Sequence, residues 1–329
     1  LAKVARLYYL EEINQREIAA KLNVSIASVS RMLNRAKRLG IVRISIDHQQ
    51  NQYQELEVRL ERRFGLRECV VAPSADSAAQ TDGAMAQALA EPFSRILNSG
   101  DFIGVSWGQT LKRIGEELPS LELGDIGVVP TIGAMGRIET GIYPNSIARS
   151  FAEKLGGVNY LVNTPGVVDS AELRRSVMED SNFQQVSELW NRLKTAIFSV
   201  SGLDTDTSVF AAGIFSEAEL HEVRNAGAVA ALNFAFIDRN GREVDTPLNA
   251  RIVKLSMETL CSLPHRVLAA RGGNKVEPML AVLRGGLCHI LVTDSHTADA
   301  LLRAELPRGE RDEASDGARE TERFLAEGS

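Results

Sequence analysis

The stretch QREIAAKLNVSIASVSRMLN at residues 15–34 predicts two short helices joined by a tight turn. Ile18 and Leu22 repeat at helical spacing in the first half, and Val29 and Leu33 do so in the second half. Each helix would therefore bury one apolar stripe, and the two stripes can pack against each other. This pattern predicts either a DNA-binding helix-turn-helix or an ordinary helical hairpin.

The residues between and on the helices favour the DNA-binding alternative. Asn23 tolerates the left-handed backbone that ends a helix, and Ser25 is a good N-cap for the next helix. The surface of the second helix carries short or hydrogen-bonding side chains, which suit the base edges of the major groove. We predict base contacts by Ser28, Ser30 and Arg31, phosphate contacts by Gln15, Arg16, Arg35, Lys37 and Arg38, and further DNA-facing positions at Ser25 and Asn34.

The surrounding sequence supports this interpretation. A third helical stretch precedes the pair at residues 2–12, and Gly40 is placed to end the second helix. Residues 41–46 alternate like a short strand, as in a winged variant. Residues 1–45 hold nine Lys or Arg and three Asp or Glu, whereas the whole chain has a net charge of −6. A basic head on an acidic body indicates that the head alone meets nucleic acid phosphates.

Composition predicts a cytoplasmic protein of two domains. The chain has 329 residues and 44% apolar residues, with no run of about 20 apolar residues and no signal peptide. Cys69, Cys261 and Cys288 are widely spaced within apolar runs, which predicts buried free thiols. They lack metal-ligand spacing, and we predict no metal site and no cofactor. The predicted parts are a DNA-binding domain at 1–47, a linker at 48–54, an effector-binding and oligomerisation domain at 55–307, and a disordered tail at 308–329.

In the larger predicted domain, at 55–307, short apolar runs without alternation are each followed by a helical pattern. This pattern predicts an α/β fold with a parallel sheet that is covered on both faces. The predicted strands are 69–73, 101–106, 126–131, 160–163, 196–201, 266–270 and 287–293, with a hairpin of 228–237 and 243–245 turned at 238–241. The predicted helices are 55–64, 83–97, 110–118, 145–155, a helical region at 170–194, 216–225, 275–283 and 295–302. The helix at 55–64 could be a dimer contact, but the strand that follows it favours a place in the body.

Two loops that follow predicted strands suit an anion. In SWGQT at 106–110, Gly108 lets the backbone approach a ligand and the next helix offers unpaired amides. In GGNK at 272–275, Lys275 at a helix start costs a few tenths of a kcal/mol against the helix dipole, which an anion would offset. The alternatives are a plain strand-to-helix turn and a solvated lysine. A third loop, TIGAMG at 131–136, is followed by Asn145, and both could be purely structural.

One enzyme motif is present. Residues 104–108, GVSWG, match GxSxG in a strand-loop-helix context, which is typical of a nucleophile elbow. A triad would need Asp238 with His265, His289 or His296, and the early HGGG-type loop is absent. A serine hydrolase is therefore a lesser alternative. The chain has no P-loop, HExxH or CxxC motif.

From about residue 2 to residue 303, the chain resembles the SorC-type sugar-responsive transcription regulators of bacteria. The resemblance rests on the helix-turn-helix, SWGQT, TIGAMG with Asn145, GAVAALNFAFIDRNG at 227–241, and the pairing of GGNK with TDSHTADALL at 293–302. It implies a body that resembles a sugar-phosphate isomerase turned into a sensor, homo-oligomers (dimer or tetramer), and partners that are operator DNA and a phosphorylated sugar, with no membrane.

The resemblance also implies an effector site. The 106–110 loop would hold the phosphate, Lys275 would neutralise it, and the 133–145 region would line the sugar side. Ala230 and Ala231 stand where the family often has an acid that reaches sugar hydroxyls. The predicted effector-binding residues are Ser106, Trp107, Gly108, Gln109, Thr110, Gly133, Gly136, Asn145, Gly273, Asn274 and Lys275.

The sequence thus predicts a transcription regulator, not an enzyme, whose operator affinity is controlled by a phosphorylated sugar. A sugar-phosphate isomerase with a DNA-binding head is the main alternative. A DNA-bound assembly protein with an empty cavity is another.

Overall fold

The computed structural model describes residues 1–42, 53–134, 142–204 and 214–305. Contacts divide the chain into two units, Leu1–Gln52 and Tyr53–Ser329. The predicted tail and most of the predicted wing and linker lie outside the described residues, as does Gly136. Among the described residues, no helix is both long and apolar enough to cross a bilayer.

The first unit has the predicted three helices, and the helix-turn-helix is confirmed. Asn23 ends the second helix in the left-handed conformation at φ 53°, and the Ser25 side chain accepts a hydrogen bond from the Ser28 N–H. A small core includes the fully buried Ile18 and Val29. The helices are α1 (Ala2–Tyr9), α2 (Gln15–Leu22) and α3 (Ile26–Arg38).

The second unit alternates strands and helices, as predicted. Its strands are β1 (Glu68–Ala72), β2 (Phe102–Val105), β3 (Gly127–Pro130), β4 (Val158–Asn159), β5 (Leu193–Phe198), β6 (Val200–Ser201), β7 (Ala230–Leu232), β8 (Ala235–Ile237), β9 (His265–Ala269) and β10 (Ile290–Asp294). Its helices are α4 (Gln54–Phe64), α5 (Ala78–Ile96), α6 (Gln109–Glu117), α7 (Pro144–Leu155), α8 (Ala171–Glu179), α9 (Ser181–Asn191), α10 (Glu217–Asn225), α11 (Met257–Ser262), α12 (Val276–Arg284) and α13 (Ser295–Ala304), with single turns of 3₁₀ helix at Asn249–Arg251 and Gly273–Lys275.

Seven strands form one parallel sheet in the order β1-β10-β9-β5-β2-β3-β4, which confirms the predicted α/β class. Every residue of β2, β3 and β10 is buried, because helices cover both faces. From β2 the chain proceeds to β3 and β4 on one side, whereas from β5 it proceeds to β9 and β10 on the other. The boundary between β2 and β5 is therefore a topological switch point, where parallel sheets bind ligands beyond the carboxyl ends of their strands.

Helix α4 belongs to the body, as predicted. Leu60 on its inner side is fully buried, and the Glu57 carboxylate accepts a hydrogen bond from the Val71 N–H of β1. Burial of a leucine side chain is worth about 1.5–3 kcal/mol. The helix is thereby fixed to the edge of the sheet.

The turn predicted at 238–241 forms, but the strand predicted at 228–237 is divided into β7 and β8, which make a second hairpin. β7 and β8 pair through Asn233 and Phe234, whose φ angles are 47° and 59°, whereas the predicted turn at 238–241 closes a single bridge between Ile237 and Glu243. The sequence analysis missed this turn because Asn233 is followed by Phe234 and not by glycine, the usual second residue of such a turn.

Other predicted boundaries also differ. The strand predicted at 160–163 lies at Val158–Asn159, the helix predicted from residue 83 begins at Ala78, and the strand predicted at 196–201 is divided into β5 and β6. Cys69 and Cys288 are buried as predicted, but Cys261 is exposed because it lies on the outer side of the short helix α11.

Candidate functional site

The outer face of α3 carries the predicted DNA-reading residues. Arg31, Asn34 and Arg38 are exposed and recur at helical spacing opposite the buried stripe of Val29 and Leu33. These three side chains present donors for base edges or phosphates.

The start of α3 positions the arginine. The Ser25 and Ser28 hydroxyl oxygens lie 2.9 Å apart, and Arg31 Nη2 donates to Ser28 Oγ at 3.2 Å. Because Ser25 caps the helix and Ser28 holds the guanidinium, both serines orient Arg31 rather than standing free. Lys37 lies over the Tyr9 ring at 5.8 Å, so its ammonium is directed toward α1. Of the other predicted positions, Arg16 and Arg35 are exposed and Gln15 and Ser30 are half-buried.

The second unit has a cavity of about 140 Å³ at the carboxyl ends of the central strands. This volume suits a small molecule rather than a polymer. Loops that follow three neighbouring strands, β2, β5 and β9, contribute to it, with β5 in the middle. The lining residues are Ser106, Trp107, Gly108, Gln109, Ser199, Val200, Ser201, Gly202, Ala231, Asn233, Phe234, Asn274 and Lys275.

The first side of the cavity is the start of α6. Gly108 stands before the helix with φ 140°, a conformation that side chains disfavour, and it lets the chain turn sharply from β2. Gly108 has no side chain with which to cap this helix, so the amides of the first turn can meet an anion. The buried Leu111 and Ile114 anchor the helix to the core behind the cavity.

The second side is the loop after β9. Gly272 has φ 104°, and its N–H donates to Thr297 Oγ1 at 2.8 Å, which ties the loop to α13. Lys275 then directs Nζ across the cavity floor, 3.3 Å from Thr110 Oγ1 and 3.4 Å from Ser199 Oγ. The two loops that the sequence singled out therefore converge at one ammonium group.

Lys275 is a half-buried cation of the cavity lining. Burial lowers its pKa to about 8, while the Asp82 carboxylate raises the pKa and the Arg271 guanidinium lowers it. Within the described part of the chain, the hydrogen bonds of Nζ go to two hydroxyls and not to a carboxylate. A half-buried ammonium with no acid in contact among the described residues is an arrangement that a bound anion would stabilise.

Asn233 connects the hairpin to the strand ends. Its Oδ1 accepts hydrogen bonds from Ser106 at 2.9 Å and from Thr131 at 2.6 Å, and all three residues are buried. With the oxygen occupied twice, the amide group has only donors left to offer a ligand. Asn233 was not among the predicted site residues, although a polar residue in the apolar run ALNFAF at 231–236 was the available signal.

Aromatic rings form one wall of the cavity. The Trp107 and Phe234 rings lie 5.3 Å apart, and Trp107 Nε1 donates to the Ile142 carbonyl oxygen at 2.7 Å. Trp107 is therefore fixed in place rather than loosely covering the site. Ala231 on β7 adds a small apolar surface, and Ala230 is fully buried behind it.

The predicted site residues separate into two groups. Ser106 to Gln109, Asn274 and Lys275 line the cavity, Thr110 contacts Lys275, and Gly273 lines an adjoining cavity. Asn145 and Gly133 are not among the lining residues. Both Asn145 side-chain ends bond the Val162 backbone, and Gly133 lies against the Thr164 and Pro165 carbonyls, where a Cβ would come within 2.7 Å. Ser199, Val200 and Ser201 were missed because the strand predicted at 196–201 ran through them, and Gly202, which directly follows that strand, was missed with them.

The GxSxG motif does not assemble the expected triad. Ser106 Oγ donates to Asn233 Oδ1 at the carboxyl ends of the strands. His265 and His289 lie at the amino ends of β9 and β10, which is the other end of the strands. His296 begins α13 after β10, which lies three strands from β2, or about 14 Å at the usual strand spacing. The carboxylate of Asp238 accepts from the N–H groups of its own turn.

Comparison with protein families matches residues 48–303 to the family described as "Putative sugar-binding domain". Two characterised relatives are similar over most of their length. The sorbitol operon regulator of Klebsiella pneumoniae is 29% identical over 307 residues, which cover 92% of this chain and 97% of that protein. The deoxyribonucleoside regulator of Bacillus subtilis is 29% identical over 302 residues, covering 91% and 96%.

Solved structures agree with these matches. The full-length sorbitol operon regulator SorC from Klebsiella pneumoniae superposes with a TM-score of 0.72 at 30% identity, covering 91% of this chain and 97% of that one. A probable sor operon regulator from Shigella flexneri gives a TM-score of 0.70 at 26% identity, covering 77% and 100%.

Proposed function

Because the chain belongs to the SorC-type family of sugar-responsive transcription regulators, we propose that its effector is a phosphorylated sugar held in the strand-end cavity. The observation that carries this proposal is the ammonium of Lys275, which faces the first turn of α6 and has no carboxylate in contact within the described ranges. A phosphate monoester carries nearly two negative charges at neutral pH and would accept from the ammonium, the α6 amides and the Thr110 hydroxyl.

The sugar would lie between the phosphate site and the hairpin. Asn233 and Gln109 offer hydrogen-bonding groups there, and the Trp107 and Phe234 rings offer an apolar surface for the C–H face of a ring. Ala231 supplies no polar group to the sugar. The neutral side chains of Asn233 and Gln109, together with the two aromatic rings, would therefore determine which sugar binds.

Binding of this ligand would control operator affinity by linkage. A ligand shifts the equilibrium between two states only as far as it binds them unequally, and its effect on DNA affinity equals the effect of DNA on its own affinity. We propose that Arg31, Asn34 and Arg38 contact the operator and that two or four copies act together, since one such domain makes few contacts. The protein would work in the cytoplasm.

A binding screen of the full chain tests the effector. Pentose and hexose phosphates, their unphosphorylated counterparts and inorganic phosphate would be compared by thermal shift and calorimetry. A true effector at 100 times its Kd should raise the free energy of unfolding by about 2.7 kcal/mol. Equal binding of the unphosphorylated sugars would contradict the phosphate site. Turnover of a sugar phosphate, followed by NMR, would instead support the isomerase alternative.

A further inference from the structure

A buried acid lies behind the cavity. Asp82 is on α5, its exposed fraction is 2%, and it is not among the cavity-lining residues. The same helix buries the apolar Met85, Leu89 and Phe93, so Asp82 is a carboxylate on a mainly apolar buried face, with Thr81 as its polar neighbour. A buried carboxylate is costly unless cations and hydrogen bonds compensate it.

Two arginines from the two sides of the cavity compensate this carboxylate. Arg271 donates from Nε to Oδ1 at 2.6 Å and from Nη2 to Oδ2 at 3.0 Å, the bidentate geometry that is strongest for this pair. Arg271 also donates to the Ala78 carbonyl oxygen at the start of α5. Arg113 on α6 places Nε 3.6 Å from Oδ2. Asp82 therefore joins three elements at one carboxylate.

The two arginines that bind Asp82 lie in or next to the two elements that carry Lys275 and Thr110. We call Asp82, Arg113 and Arg271 the junction. Arg271 directly precedes the loop that carries Lys275, and Arg113 lies one helical turn after Thr110. The Lys275–Thr110 contact thus spans the same two elements that Asp82 connects from behind. A change in the Asp82 contacts would alter the spacing between the ammonium and the first amides of α6.

We propose that Asp82 is a positioning residue of the effector site: it holds the Lys275 loop and the start of α6 at the spacing that an anion requires, without contacting the anion. This inference rests on the proposed function. Asp82 also acts on the lysine through space, since its charge counteracts the burial that lowers the pKa of Lys275. The other charged groups in and beside the junction are Arg113, Arg271 and Asp294, the last of which acts on Arg271.

Asp82→Asn is the direct test, because asparagine keeps the shape and removes the charge. The matched control is Asp101→Asn, which neutralises another buried acid of the second unit. Asp101 binds Lys194 at 2.6 Å at the amino end of β2, the end remote from the cavity. Calorimetry of the full-length variants with the tightest sugar phosphate of the screen, and with inorganic phosphate, would give Kd across the pH range.

We expect Asp82→Asn to weaken sugar phosphate binding by about tenfold or more, a change of ~1.4 kcal/mol or more. The pH at which affinity begins to fall should also move below that of the wild type, because Lys275 loses the charge that supports its protonation. Asp101→Asn should change neither quantity. A purely structural role for Asp82 would lower the unfolding midpoint without moving the pH profile, and that result would overturn the proposal.

Arg113→Gln is a second variant in case Asp82→Asn fails to fold. It leaves the bidentate Asp82–Arg271 pair intact and breaks the connection to α6, so we expect a folded protein with weaker ligand binding. Unchanged affinity in this variant overturns the proposal. If the wild type binds no member of the panel, the proposed effector and this inference both fail, whereas normal wild-type binding with unaffected variants defeats this inference alone.

Discussion

Lys275 Nζ lies 3.3 Å from Thr110 Oγ1, so a cation from the loop after β9 meets the first turn of the helix after β2. Strand β5 separates β9 from β2 in the sheet, and its end contributes Ser199 to the same ammonium. Three neighbouring strands therefore direct their carboxyl ends at one charged atom.

Lys275→Met should abolish the response to sugar phosphate at concentrations that saturate the wild type. The variant removes a charge-assisted hydrogen bond worth about 1.5–3 kcal/mol, or roughly tenfold to a hundredfold in Kd. It should not lower the unfolding midpoint of the ligand-free protein, because methionine is less costly to bury than an ammonium. The measurement is calorimetric titration, together with operator binding by anisotropy with and without ligand.

The control for this variant is Lys112→Met on the same helix as Thr110. Lys112 is paired at 3.9 Å with Glu116 on the protein surface and lies outside the cavity lining. It should bind and respond like the wild type. A Lys275→Met protein that still responds normally would exclude the phosphate site.

Effector binding should weaken as the pH rises through about 8, the pKa of Lys275 in the empty protein. The bound anion favours the protonated lysine and raises its pKa in the complex, so affinity falls by up to about tenfold per pH unit above the free pKa. Below about pH 6 the phosphate gains a proton and affinity should also fall. Calorimetry in buffers of different ionisation enthalpy would detect proton uptake on binding near pH 8, and its absence would count against the lysine.

The folding stability of the empty protein should depend on Lys275 in the opposite direction. Its pKa is lowered from 10.5 to about 8 in the folded state, so between these values the unfolded chain binds the extra proton. The contribution of this residue to stability therefore rises with pH across that window. Urea denaturation of the wild type and Lys275→Met should show this rise in the wild type and lose it in the variant.

Arg31→Ala should weaken operator binding by about 1–3 kcal/mol if the guanidinium makes a bidentate base contact. Its side chain is exposed on α3 and oriented by Ser28. Arg6→Ala is the comparison, because Arg6 is an exposed arginine of α1 paired with Glu11. Fluorescence anisotropy with operator DNA measures both, and equal affinities for the two variants would remove Arg31 from the reading face.

Asn233→Ala should destabilise the second unit by about 1–3 kcal/mol, because the buried Ser106 and Thr131 hydroxyls lose their shared acceptor. The left-handed backbone at φ 47° adds strain for alanine. Asn225→Ala, at an exposed site next to His221, should be nearly neutral. Chemical denaturation of the two variants measures the difference, and a similar stability would show that the hydroxyls find other partners.

The sequence predicted the sheet well because its signal is local. Runs such as residues 102–105 are apolar on both faces, and each is followed by a helical pattern, so strand type and sheet class follow directly. The helix-turn-helix was predictable for the same reason. Asn23 tolerates the left-handed backbone that ends α2, and Ser25 caps the start of α3, so the turn between the helices is determined locally.

The cavity was predictable only in part, for a physical reason. Gly108 and Lys275 each lie between a strand and a helix, where a glycine or a lysine suggests an anion site. Their loops were therefore predicted from the sequence. Asn233 and Phe234 reach the site through a tertiary contact of a small antiparallel hairpin, which no local pattern encodes. Asp82 is separated from Arg271 by 189 positions, and sequence spacing gives no sign of their pairing.

The indole of Trp107 allows ligand binding in the cavity to be followed by intrinsic tryptophan fluorescence. The chain has two tryptophans, and the other, Trp190, donates to the Pro130 carbonyl oxygen outside the cavity lining. A ligand that settles against the Trp107 ring would change its emission directly. A Trp190→Phe protein would therefore report occupancy from its intrinsic fluorescence, without a dye or a coupled DNA assay.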